Sequence, residues 1–228
     1  MAILRQEFLC APTERRKVSP VGDLPVIGDD LARLLAHDLK TPLAAISMNL
    51  DFALSELQSD VPQVLREALD DCREANARAV RIVSDMADAV RLISGDRRPT
   101  LTEVDAADVI VAAVETMESD AAARGVSMRF TAPRQLLVQA DLELYTRALE
   151  RTLERGLRHA RAGTAIEITL RARSIAVCVD AGAPCLEELP TYGLAWYFAE
   201  AAMRAQGGAL CTEFDADGAL TFRLSLPR

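Results

Sequence analysis

The chain has 228 residues, half of them apolar, with 34 acidic against 26 basic side chains and a formal net charge of −8. That length and apolar content can bury a sizeable core in two modest domains, and the acidic balance argues against a nucleic-acid partner. No apolar run approaches the roughly 18 residues that span a bilayer and no basic-then-apolar leader opens the chain, so no membrane association and a cytoplasmic location are expected. The five cysteines, Cys10, Cys72, Cys178, Cys185 and Cys211, have no metal-ligand spacing and read as thiols.

Residues 1–27 mix Pro12, Pro20, Pro25 and Gly22 with a charged cluster at 14–17, which predicts an extended or partly disordered lead-in without chemistry. Asp29 or Asp30 can cap a first helix running to about Gln58. On its helical wheel, with Leu35 at zero and about 100° per residue, Leu35, Leu39, Pro42, Leu43, Ile46, Leu50, Ala53, Leu54 and Leu57 form one apolar stripe. His37 falls at about 200° and Thr41 at about 240°, on the far side of the stripe. A structural histidine is usually tucked against the apolar face, whereas His37 is offered to solvent or a partner. Neutral imidazole is a good nucleophile near neutral pH and forms a phosphoramidate whose phosphoryl group passes readily onward. Asp38 can orient the ring or accept its proton, and Thr41 can place a water. Pro42 lacks an N–H and crowds the carbonyl of Asp38, so a bend is expected just after the histidine.

The run His37-Asp38-Leu39-Lys40-Thr41-Pro42 resembles the H-box of bacterial histidine kinases, the phosphoacceptor segment of their dimerisation and histidine-phosphotransfer domain. Further along the same face, Ala44, Met48 and Phe52 lie near 180°, 220° and 260° on the wheel. An apolar strip beside a reactive residue reads as a docking site for a partner, unless the second helix or the following domain covers Phe52.

Ser59-Asp60-Val61-Pro62 reads as a turn before a second helix that reaches about Ser94 and ends at Gly95. Leu65, Leu69, Cys72, Asn76, Ala79, Val83, Met86, Val90 and Ile93 repeat at alternating steps of four and three, a heptad seam. Two such helices make an antiparallel hairpin over 28–95, and two hairpins can close a four-helix bundle, so a homodimer is expected. Asn76 either fixes the register of the seam or points to solvent at the bundle edge.

Arg97, Arg98 and Pro99 mark a linker, and 100–228 reads as mixed α and β. Strands are predicted near 100–104, 126–131, 136–139, 164–172 and 174–180, with helices over 105–124, 141–160 and 192–206. A hairpin near 209–214 and 219–225, turned at Asp217-Gly218, closes the chain. This order resembles the ATP-binding domain of the same kinases. The implied fold is α+β: a helical hairpin dimerising into a four-helix bundle, followed by a histidine-kinase-type α/β sandwich ATPase-like domain.

The kinase resemblance breaks at the nucleotide site. Ala148 to His159 aligns with the N-box, whose two asparagines serve nucleotide and Mg²⁺, but Arg151 and Arg155 stand in their places. Mg²⁺ needs hard oxygen ligands, and a guanidinium has only donors and a fixed positive charge. Asp180 and Gly182 match the Asp-x-Gly-x-Gly motif, whose second glycine is here Pro184. Of the Gly-x-Gly-Leu-Gly-Leu phosphate loop, only Gly193 survives within Thr191-Tyr192-Gly193-Leu194-Ala195-Trp196, and side chains obstruct the amides that would meet phosphates. Only eight residues separate Pro184 from Gly193, too few for a long lid.

The resemblance therefore implies a dimeric histidine phosphotransferase (ChpT-like), which takes a phosphoryl group from one response-regulator receiver aspartate and passes it to another through His37. The receiver brings its own Mg²⁺ and lysine, so no cofactor or metal is expected on this chain. The alternatives are a histidine autokinase with an unusual nucleotide site, resting on Asp180, Gly182 and Gly193, and a non-catalytic receiver-binding scaffold. About 30 residues precede the first helix, so no sensor domain is expected.

Overall fold

A computed structural model of the chain describes residues 16–18, 29–56, 62–133, 135–181, 193–214 and 219–226. Two long helices, α1 (Asp29–Glu56) and α2 (Gln63–Ser94), form the expected hairpin. Helix α1 continues through Pro42. Helix α2 ends at Gly95, whose φ of +80° is the left-handed cap that glycine adopts without a Cβ penalty.

The register of the hairpin is set by a polar contact. Asn76 is buried, and its Nδ2 donates to the Leu43 carbonyl (3.1 Å) and the Ser47 hydroxyl oxygen (2.5 Å). Asn76 thus faces α1 and not solvent, and its amide can be satisfied only where those two acceptors fall. Next to it Val83 and Ala87 pack with Leu43 and Met86.

After the hairpin come β2 (Thr102–Asp105), α3 (Ala106–Ala123), β3 (Ser127–Thr131), β4 (Leu137–Ala140) and α4 (Leu142–His159). Then follow β5 (Ala165–Arg171), β6 (Ser174–Asp180), α5 (Leu194–Ala205), β7 (Ala209–Phe214) and β8 (Ala219–Ser225). Asp105 and Asp141 cap α3 and α4, accepting from the amides of Ala107 and Leu144, which otherwise lack helical partners. The main sheet has six strands in the order β1-β7-β8-β6-β5-β3, where β1 is Arg16–Val18; β3 and β5 are parallel and the other pairs antiparallel. β2 and β4 form a separate antiparallel pair.

Alternation along the strands builds the core. Ile166, Ile168, Ile175, Val177, Leu220, Phe222 and Leu224 are buried and meet Leu144, Leu149, Leu153, Phe198 and Met203 from the helices, one face of sheet against one layer of helix. Within the lead-in, β1 pairs with β7, adding an edge strand that three polar-rich residues gave no periodicity to announce. The Asp217-Gly218 turn lies outside the described residues.

Off the heptad seam, α2 has a second apolar face: Ala89 and Leu92 are buried in the core of the α/β unit, and α2 packs along α5. Leu65 and Ile93, both on the seam, are about half exposed. The heptad reports one apolar stripe, while this helix has two neighbours and needs two. No described helix is long and apolar enough to cross a membrane.

Candidate functional site

His37 and Asp38 lie on the backbone of α1, and their side chains are outside the described ones. One turn on, Thr41 is exposed. Ala44, Met48 and Phe52 are also exposed, Met48 at 73% and Phe52 at 66%, so neither α2 nor the described α/β residues cover this face. The axial level of His37 follows from the hairpin register. Asn76 sits opposite Leu43 and Ser47. Asp85, about two and a half turns further along α2, therefore lies at the level of the α1 turn that carries His37.

Of the five residues assigned to the kinase-like nucleotide site, Arg151 and Gly193 line one cleft of about 320 Å³ between α2, α3, α4 and the start of α5. Arg155 and Asp180 are not among its lining residues, and Gly182 lies outside the described residues. The buried Arg151 reaches across to α2, where its Nε is 2.5 Å from Asp85 Oδ2 and its Nη2 3.4 Å from Asp85 Oδ1. Its Nη1 also donates to Glu154 (3.1 Å). Burial works against the Arg151 charge, but the hydrogen bonds and charge of Asp85 outweigh it and hold the pKa above the ordinary arginine value.

Arg155, also buried, lays its guanidinium over the ring of Trp196 with the central carbon 5.1 Å from the centroid, and 6.0 Å from that of Phe222. Trp196 is itself 2% exposed and packs on Phe222 at 5.4 Å between centroids. Tryptophan and guanidinium thus fill the space beside the first turn of α5. His159 is half-buried, and burial, followed by the charges of Arg155 and Arg158, lowers its pKa. Asp180 lies at the sheet end, exposed, 3.9 Å from Arg161. Gly193 caps α5 at φ −69°, and a Cβ there would meet nothing within 4 Å, so the fold does not demand glycine at this position.

Five residues that sequence reasoning gave no site role, Asp85, Asp88, Arg97, Glu143 and Arg147, complete the junction. Asp85, 1% exposed at the side chain, also accepts from Arg147 Nη2 at 2.8 Å, while Arg147 Nη1 meets Asp88 (2.7 Å) and Glu143 (2.9 Å). Arg97, expected in a linker, bridges Asp88 and Glu143, each at 3.0 Å. Only the α4 half of the junction had a signal in the sequence: Glu143, Arg147, Arg151 and Arg155 recur at steps of four along one helix.

Residues 29–95 match the His Kinase A (phospho-acceptor) domain. The chain is 28% identical over 144 residues to the sensor-like histidine kinase SenX3 of Mycobacterium tuberculosis, covering 63% of this chain and 35% of that protein. To the sensor protein QseC of Escherichia coli it is 26% identical over 143 residues, covering 62% of this chain and 31% of the relative. The chain thus spans about a third of the length of the curated relatives it matches. The full-length structure of ShkA superposes with a TM-score of 0.69 at 17% identity, over 88% of this chain and 46% of that one. The Acinetobacter baumannii histidine kinase AdeS gives 0.57 at 16%, over 84% and 98%. Both structural likenesses are likenesses of fold: a helical hairpin followed by a kinase-type α/β unit.

Proposed function

We propose, for a histidine kinase-family protein in which a phospho-acceptor hairpin is joined to a kinase-type α/β unit, that this chain is a phosphorelay histidine phosphotransferase working without ATP. The observation that carries this reading is the use made of the two residues at the asparagine positions. Arg151 is committed to Asp85 and Arg155 lies over Trp196, so neither position supplies an oxygen to a metal. A positive, donor-only pair in a filled corner is poorly suited to Mg-ATP.

In this reading the neutral imidazole of His37 attacks the phosphorus of a receiver phosphoaspartate. An N–P bond forms as the P–O bond to the aspartyl carboxylate breaks, the carboxylate leaves with the electron pair, and the imidazole proton is taken up at Asp38 or by solvent. A second receiver aspartate reverses the step. Mg²⁺ arrives with the receiver. The half-exposed stripe residues Leu39 and Ile46 of α1 and Leu65 of α2 support pairing of two hairpins in a four-helix bundle, which would bury them.

Autokinase activity is the second reading, favoured by the similarity to sensor kinases. Incubation with radiolabelled ATP, alone and then with a phosphorylated receiver, separates the two. Acid-labile, base-stable label on His37 only after addition of the phosphorylated receiver is the expected outcome; label from ATP alone, or micromolar Mg-ATP affinity by calorimetry, overturns it.

A further inference from the structure

Pro42 puts the least restrained turn of α1 directly after the phospho-acceptor. Having no N–H, it gives the Asp38 carbonyl no helical partner at position 42, and its ring crowds that carbonyl. The backbone from 38 to 42 therefore lacks one of the bonds that fix one turn against the next. His37 stands just before this turn, so the angle at which it is presented depends on what holds α1 on the far side of Pro42.

That far side is tied to α2. Asn76 Nδ2 donates to the Leu43 carbonyl at 3.1 Å and to the Ser47 hydroxyl oxygen at 2.5 Å, and Leu43 packs with Val83 and Ala87. Before Pro42 the hold is looser, since Leu39 on the same apolar stripe is 44% exposed. The two acceptors are one turn apart, so a single short amide reaches both at only one rotation and one height of α1. An apolar side chain would be more stable at this buried seam position, so the asparagine contributes placement and not burial. Leu43 lies about 9 Å along the axis from His37 and roughly 120° round the wheel, so Asn76 acts on the histidine through the helix and not by contact.

We infer that Asn76 is a positioning residue for phosphoryl transfer: by fixing the rotation and height of α1 immediately beyond Pro42, it sets the angle at which His37 meets the receiver phosphoaspartate. This rests on the phosphotransfer reading above. Attack on phosphorus requires the imidazole nitrogen in line with the departing carboxylate oxygen, and a small rotation of the acceptor turn spoils that line.

The test uses the full chain, a phosphorylated receiver and, as a small donor, phosphoramidate. Asn76→Leu removes both donated bonds at nearly constant volume. Its single-turnover rate constant for transfer from saturating phosphorylated receiver should fall roughly tenfold, with the half-saturating receiver concentration unchanged. Labelling of His37 by phosphoramidate, which needs no alignment with a docked partner, should stay within about twofold of wild type. Loss of folded protein alone would lower the amplitude of both reactions and the rate constant of neither. Pro42→Ala restores the backbone bond at the turn, and in that background the Asn76→Leu factor should shrink to about twofold. Should Asn76→Leu fail to fold, Ser47→Ala removes one of the two acceptors and should lower the same rate constant about threefold. An unchanged rate constant in the variant that folds, an equal loss with both donors, or the full factor in the Pro42→Ala background overturns the inference. If wild-type His37 takes no phosphoryl group from any receiver, the phosphotransfer reading fails, and hydrogen exchange then decides the anchoring separately. Faster exchange of the Leu39, Lys40 and Thr41 amides in Asn76→Leu keeps Asn76 as the anchor of the acceptor turn; exchange equal to wild type removes it.

Discussion

The guanidinium carbon of Arg155 sits 5.1 Å from the centre of the Trp196 ring, and both side chains are buried. The ring in turn packs on Phe222 from the sheet, so the pair links α4, α5 and β8 at one corner of the core. Trp196→Ala should cost about 3–5 kcal/mol, the range for removing a buried large aromatic. The loss should also be seen as added exchange of α5 amides. Denaturant unfolding with a midpoint unchanged from wild type would contradict this packing role.

His37→Gln should abolish phosphotransfer while changing stability by no more than about 0.5 kcal/mol, because the helical wheel puts residue 37 off the apolar stripe. Transfer assays and thermal melts together check it. Undiminished transfer would move the acceptor elsewhere, with His159 the other histidine in the sequence.

Met48 and Phe52 remain open to solvent on the α1 face beyond Thr41. Met48→Asp should weaken receiver binding and slow transfer, with the dimer intact by sedimentation. A variant that transfers at the wild-type rate to every receiver that accepts phosphate would show that the strip is not used.

Asn76→Asp keeps the shape of the side chain but turns its donor into an acceptor facing the Leu43 carbonyl and Ser47. At neutral pH the buried carboxylate has lost a donor and gained a charge, and the variant should lose several kcal/mol. Protonation supplies an O–H donor, so the deficit should shrink as the solution is taken toward pH 4; chemical unfolding at both pH values measures it.

Glu200 on α5 is buried, with one carboxyl oxygen on Arg204 and the other, Oε2, without a hydrogen-bond partner among the described residues. Burial raises its pKa above the ordinary carboxyl range, an effect opposed by Arg204. The folded chain then holds this proton more tightly than the unfolded chain. The associated stability is present below the ordinary carboxyl pKa and is lost as pH rises through the displaced value. Glu200→Gln should abolish that component and flatten the stability profile of wild type across weakly acidic pH, measured by melting temperature against pH.

Much of this protein was legible in the residue order, because local periodicity and caps act over a few residues. The α2 C-terminus at Gly95, the α3 and α4 boundaries at Asp105 and Asp141, and the closing β7–β8 pair all fall where turn and cap chemistry put them. The two arginines in place of oxygen ligands were equally plain, since charge and donor count belong to the residue itself. Tertiary structure alone decided where those charges go. Asp85 and Arg151 are 66 positions apart, and nothing local distinguishes Asp85 from the solvent-facing acids of α2. The same holds for the second face of α2, where Ala89 and Leu92 enter the α/β core: a wheel can say that a helix has an apolar side, but which partner covers it depends on contacts distant in sequence. Asn76, open to two readings on its heptad, was settled by the Leu43 carbonyl and Ser47 hydroxyl brought opposite it when the chain folds back.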